Sequence, residues 1–109
     1  MITWEDFERI DIRVGTILQA YTFEKARKPA YQLIIDFGPL GIKKSSAQIT
    51  TLYTIEELAG KQILAVVNFP PKQIANFQSE CLVLGIYGTN KEVILIQPDR
   101  TVQNGWKLG

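Results

Sequence analysis

Between Ile10 and Gln19, apolar Ile10, Ile12, Val14 and Leu18 alternate with Asp11, Arg13, Gly15 and Gln19. Side chains of a strand point to opposite faces in turn, so this period of two predicts a half-buried β-strand and excludes a helix there. Gly15 inside the run predicts a bulge or sharp coil, the device by which a strand bends around a small barrel. The signal recurs. Tyr31, Leu33, Ile35 and Phe37 alternate with Gln32 and Asp36 until Gly38-Pro39 stops them, and Leu40-Gly41 turns the chain into a third strand, about Ile42 to Thr50. Ile63 to Asn68 and Cys81 to Tyr87 read as nearly continuous apolar strands. The second of these turns through Gly88-Thr89-Asn90-Lys91 into a hairpin partner, Val93 to Ile96.

One interruption orders these strands. Thr54-Ile55-Glu56-Glu57 is a capping box, in which Thr54 accepts from the N–H of Glu57 while the Glu57 side chain reaches back, and Gly60 is a natural stop. The resulting helix, about Thr54 to Leu58, is barely two turns. Three strands, a short helix and two more strands predict an all-β, five-stranded OB-fold barrel with the helix between strands 3 and 4 plugging one end. Small extensions flank it. Thr3 to Arg9 can form a short helix with Trp4 and Phe7 on one face, and the polar tail beyond Pro98 ends in Asn104-Gly105-Trp106. No repeat or linker divides the chain, so residues 1–109 read as one domain with a core at about 10–87.

Composition removes most site chemistry. The 109 residues include no histidine and one cysteine, so no His-Cys zinc cluster, Ser-His-Asp triad or cysteine–histidine pair can be assembled. Glu56 and Glu57 are accounted for by the cap, and nothing places Asp36 and Glu80 together as a catalytic pair. Cys81 opens an apolar strand and reads as an inert buried thiol. Gly38-Pro39-Leu40-Gly41-Ile42-Lys43-Lys44 has neither the spacing nor the following helix of a phosphate loop. We therefore expect no catalytic residue, metal or cofactor. The N-terminus has no basic and apolar leader, and no apolar run nears the ~20 residues that span a bilayer, so the expectation is a soluble cytoplasmic domain without membrane insertion.

Charge is more informative by segment than in total. Residues 25–72 carry seven cations (Lys25, Arg27, Lys28, Lys43, Lys44, Lys61 and Lys72) against three carboxylates, within a chain of net charge +1. Such an excess beside a groove attracts phosphate, and Tyr31 or Phe69 can stack on bases; a solvated face is the plain alternative.

These residues carry a resemblance. Asp11-Ile12-Arg13-Val14-Gly15-Thr16-Ile17, Ser45-Ser46-Ala47-Gln48-Ile49, Glu57-Leu58-Ala59-Gly60-Lys61, Asn68 with Pro71-Lys72, and Ser79 before Leu82-Val83-Leu84 run in the order of the EMAP-type tRNA-binding domain. The chain resembles that family over about residues 5 to 90. The family includes appended domains of aminoacyl-tRNA synthetases and free-standing bacterial members described as export-related chaperones; small size, both extensions and the Lys43-to-Ile49 string favour the latter. Gln73 and Ala75 stand where tRNA-binding relatives carry cations, Asn76 where glycine is common, and Ala47 where Ser-Gly is frequent. Fewer cations at the groove weaken phosphate binding.

The resemblance thus implies an ATP-independent chaperone for unfolded or export-bound precursor polypeptides, with export translocase components as further partners; the alternative is a module that grips tRNA by shape and phosphates. Apolar contacts are expected from Tyr31, Phe69, Pro71, Ile74 and Phe77, and polar ones from Lys43, Lys44, Ser46, Gln48, Asn68, Lys72 and Ser79. The resemblance also implies a homodimer, and the apolar residues outside the barrel give a second reason. Residues 1–9 and 88–109 are expected at that interface, through Trp4, Phe7, Val93, Leu95 and Trp106.

Overall fold

A computed structural model describes residues 1–109. In chain order it contains α1 (Trp4–Glu8), β1 (Ile12–Thr22), β2 (Tyr31–Asp36), a 3-10 turn (Gly38–Leu40), β3 (Ile42–Ala47) and α2 (Ile55–Leu58). There follow β4 (Gln62–Val66), β5 (Lys72–Ile74), β6 (Phe77–Ser79), β7 (Leu82–Val83), β8 (Gly85–Tyr87) and β9 (Val93–Leu95). Five strands form one sheet in the order β3-β2-β1-β4-β7, with antiparallel pairing throughout, and β5–β6 and β8–β9 are separate hairpins. The sheet curls into a nearly closed barrel, the OB-type architecture expected.

The barrel closes between β3 and the segment 79–82, where a full ladder is replaced by mixed bonds. Glu80 N–H donates to the Lys44 carbonyl (2.8 Å) while Lys44 N–H donates to Glu80 Oε1 (2.9 Å). Ser46 N–H donates to Ser79 Oγ (3.1 Å), and the fully buried Ser45 hydroxyl donates to the Cys81 carbonyl (2.8 Å). These side chains supply the partners that a longer seventh strand would have provided.

Inside the barrel, Ile17, Leu33, Ile35, Phe37, Ile63 and Ala65 pack with Leu58, which α2 drives in from one end with no exposure at all. Both helices carry the full reciprocal capping box, at Thr3/Asp6 and Thr54/Glu57, which satisfies the N–H groups that such short helices leave open. Gly60 takes φ +93° directly after α2, a conformation open to glycine at little cost.

Gly15 is not a bulge. Its register is regular, opposite Ile63, and a Cβ there would lie 2.6 Å from the Ile35 side chain and 2.7 Å from the Phe37 ring. The bulge lies at Leu18, where the pairing shifts between Ile17/Ile35 and Gln19/Ile34. Its consequence is a change of phase along β1: Ile17 and Ala20 are buried but Leu18 is exposed. Ile12 and Val14 face the outside of the barrel, where they join Leu64 and Val66 beneath Leu84, Ile96 and Val102. Ile10 precedes the strand and is exposed.

Four further differences follow from chain direction. The third strand ends at Ala47, and the predicted strand from Cys81 to Tyr87 splits at Leu84 into β7 and β8, because the chain leaves the barrel there to form the β8–β9 hairpin. Between Asn68 and Glu80 the chain forms the β5–β6 hairpin, unpredicted by the pattern. The tail folds back on its own barrel: Val14 N–H donates to the Trp106 carbonyl (3.0 Å), and the Gly105 and Leu108 N–H groups donate to the carbonyls of Val14 and Ile12 (2.7 and 2.9 Å).

Gly15→Ala is expected to cost about 1–3 kcal/mol through overpacking against Ile35 and Phe37. That corresponds to a fall of roughly 5–15 °C in Tm for a domain of this size. Thermal and urea unfolding measure it, and the Gly15→Ala/Phe37→Leu double variant should lose less than the sum of its parts. A single variant melting with the parent would show that the packing there has slack.

Candidate binding groove

The β5–β6 hairpin is held to the barrel by two interactions of different chemistry. Phe77 is buried in a small cluster with Phe23 and Ala30 from the β1–β2 connection, its ring centroid 5.4 Å from that of Phe23 and tilted by 58°. On Phe77 lies the Lys44 ammonium, 5.1 Å from the centroid, within cation–π range. Because the Phe23–Ala30 connection packs on the hairpin through Phe77, its exposed cations Lys25, Arg27 and Lys28 lie on the side of the hairpin where Lys44 sits, while Lys72 lies on the other strand end. None of the five forms an ion pair.

Between the hairpin and β7 runs a groove of about 640 Å³ lined by Phe69, Pro70, Pro71, Lys72, Gln73, Ser79, Cys81 and Leu82. Phe69 is 55% and Leu82 49% exposed, and neither proline has an N–H to hydrate. The wall is therefore apolar, with Lys72, Gln73 and Ser79 as its polar points. Of the expected groove residues, Phe69, Pro71, Lys72 and Ser79 are brought together here, while Lys44 and Ser46 adjoin it through their bonds to Glu80 and Ser79.

The remaining expected residues lie outside this lining. Tyr31 is half-buried and donates its hydroxyl to the Tyr53 carbonyl (2.8 Å), and the Tyr53 hydroxyl in turn accepts from Leu95 N–H (3.0 Å); Tyr31 supports the core. Phe77 is buried, and Ile74 is half-buried against its cluster. Lys43 and Lys44 are adjacent in β3 and so point to opposite faces, with Lys44 turned towards Phe77. Gln48 lies exposed beyond the end of β3. Asn68 spends its amide on the N-terminal segment, accepting from Asp11 N–H (3.0 Å) and donating to the Arg9 carbonyl (2.7 Å). Leu82 escapes the sequence reading because the apolar run around it reads as wholly buried, although alternation with Cys81 already turns it outward.

Among the residues expected at an intersubunit surface, Leu95 is buried in the chain's own core, which removes it from such a surface, and half-buried Val93 packs against that core. Phe7 is half-buried, whereas Trp4 is 80% and Trp106 54% exposed. The Arg13 guanidinium pairs with Asp11 (2.6 Å) and donates to the Gly105 carbonyl (2.9 Å), tying the C-terminal extension to the start of β1.

Burial pushes the Cys81 thiol up to about 11, outweighing the Ser45 hydrogen bond and the nearby Lys43 charge, which both lower it. A thiol held neutral is a poor nucleophile. No cluster of three or more His, Cys, Asp or Glu side chains is arranged to hold a metal ion, and no helix is long and apolar enough to cross a membrane.

Residues 12–107 match the family described as "Putative tRNA binding domain". The fold is similar to that of the chaperone CsaA from Bacillus anthracis, with TM-score 0.95 and 52% identity over 100% of this chain and 99% of that one. It is equally similar to the CsaA chaperone protein from Picrophilus torridus, with TM-score 0.94 and 55% identity over the whole of both chains. The methionine–tRNA ligase of Leptospira biflexa is 36% identical over 104 residues, 95% of this chain. The chain spans only 15% of that ligase's length.

Two outcomes are expected from this geometry. The Cys81 pKa rises from 9.0 to about 11 on folding, so the stability that goes with its neutral form is fully present below pH 9 and is lost as pH climbs towards 11. Alkaline unfolding should therefore be less steep in Cys81→Ala than in the parent, and native protein at pH 8 should react with a thiol reagent only as fast as it opens. Asn68→Ala should release residues 9–11, read as faster amide exchange there, without altering the groove; unchanged exchange would assign the tether elsewhere.

Proposed function

The chain belongs to the tRNA-binding domain family, and on that premise we propose that it is a CsaA-like chaperone that holds unfolded or export-bound polypeptides without ATP. The groove between the β5–β6 hairpin and β7 carries this reading: exposed Phe69, Pro70, Pro71 and Leu82 form an apolar wall beside polar points. Burying one aliphatic or aromatic side chain there stabilises a complex by about 1.5–3 kcal/mol before ordering costs are met. Such interactions are brief and sequence-tolerant, as holding an unfolded chain requires. Full-length likeness to two CsaA chaperones supports the same reading.

Two copies would add avidity. In our reading the homodimer forms through the exposed aromatic surfaces at Trp4 and Trp106, joined by Ile86 and Tyr87, which are 58% and 76% exposed. Cytoplasmic location and association with export translocase components belong to the same proposal.

Binding of tRNA is the second reading, favoured by the family match and by the unpaired cations Lys25, Arg27 and Lys28. It would proceed through phosphates and shape rather than base readout. The family is a binding domain, and we propose no reaction for it.

Titration against a denatured polypeptide and against bulk tRNA, each at two salt concentrations, separates the readings. We expect suppression of aggregation that Phe69→Ser with Leu82→Ser abolishes. tRNA binding that falls steeply with salt, with no suppression, would reverse the order. If RNA does bind, replacing Lys25, Arg27 and Lys28 should lower the salt slope by about 0.7–0.9 for every phosphate that these cations neutralise. Light scattering tests assembly: a mass near 12.3 kDa at micromolar concentration rules the dimer out.

A further inference from the structure

We propose that the groove selects extended polypeptide segments in which an apolar side chain is flanked by carboxylates. This rests on the polypeptide-binding reading above and adds the chemistry of the client. Four observations converge on it.

The wall that meets a client side chain is apolar at Phe69, Pro70, Pro71 and Leu82. Next, β5 lines the groove at Lys72 and Gln73 and is paired only with β6, so its other edge has no strand to satisfy it. An extended backbone is the partner such an edge takes. Thirdly, the one charged group among the residues that line the groove is a cation. Lys72 stands in the groove itself, while Lys44 and the Lys25–Lys28 segment lie on the hairpin's packed side; the carboxylates on these elements are Glu24 and Glu80.

Finally, the exposed Lys72 is left open to an outside partner. Glu80 is engaged by the Lys44 backbone N–H, and Lys72 has no carboxylate within 4.0 Å. An apolar client flanked by lysines would bring like charge against Lys72, whereas Asp or Glu beside the apolar residue supplies the missing anion. A polynucleotide satisfies the cation too and can stack a base on Phe69, but Lys72 is the one cation this lining offers its phosphates. The combined surface fits a polypeptide better.

Three fluorescent peptides with one Leu- and Phe-containing centre, flanked by Glu, Gln or Lys, test this by anisotropy against the intact protein. The Glu-flanked peptide should bind about tenfold more tightly than the Gln-flanked one at low salt, with the gap closing as salt screens it and the Lys-flanked peptide weakest. Lys72→Gln should narrow the gap, and because Lys72 is exposed the variant should melt with the parent. Equal affinities, or a preference for the Lys-flanked peptide, would overturn the selectivity while leaving polypeptide binding intact. No binding of any peptide, with bulk tRNA bound and released by salt, would overturn the polypeptide reading itself.

Discussion

The absence of a side chain at residue 15 is the constraint on which the barrel depends. Phe37 has no exposed surface, and its ring together with Ile35 fills the volume that a Cβ on Gly15 would claim. With that ring seated, the 3-10 turn at Gly38–Leu40 meets the turn at 104–105 so closely that a Cβ on Gly105 would lie 2.6 Å from the Phe37 carbonyl. Tail, turn and central strand are thus fitted around one residue, Phe37, the strand against its ring and the tail against its carbonyl. Close packing of this kind transmits a small change in volume over several elements.

The groove inherits its shape from how the barrel closes. Had β7 been longer, a regular ladder to β3 would have covered the space between them. Instead Ser79, Glu80 and Ser45 complete the bonding, and the chain between Asn68 and Ser79 is released to form a hairpin standing off the barrel. Phe77 and Lys44 anchor that hairpin on its inner side, leaving its other side and the exposed face of β7 as the walls of the groove. Binding surface and structural seam are the same few residues.

Strands, helix plug and barrel class are legible in the sequence because each rests on a local signal: alternation for β1 and β2, the capping box for α2, Gly88-to-Lys91 for the last hairpin. The β5–β6 hairpin leaves no such signal. Its turn places Ala75 at φ +51°, where glycine or asparagine is usual, and its strands are three residues each. The face of β1 is ambiguous for a different reason. A bulge shifts the phase of alternation, and two apolar faces, one inside the barrel and one beneath the tail, satisfy the same pattern. Site residues are only half legible, since adjacency in sequence, as in Lys43-Lys44 or Asn68-Phe69, says nothing of which side of a strand each serves.

The pairing of the tail with β1 bears on how this protein is made. Arg13 and Gly105 meet across 92 residues of chain, and the edge of Ile12 to Val14 is covered only by residues 105–108. During synthesis that edge stays bare, with Val14 and Ile12 beside it, until those last partners have emerged. Pairings so distant in sequence form late and slowly. A nascent copy therefore passes through a stage with an unpaired, apolar strand edge, a natural target for a protein that grips extended chains. If it binds polypeptides as proposed, finished copies of this chain would be on hand as the first chaperones for new ones.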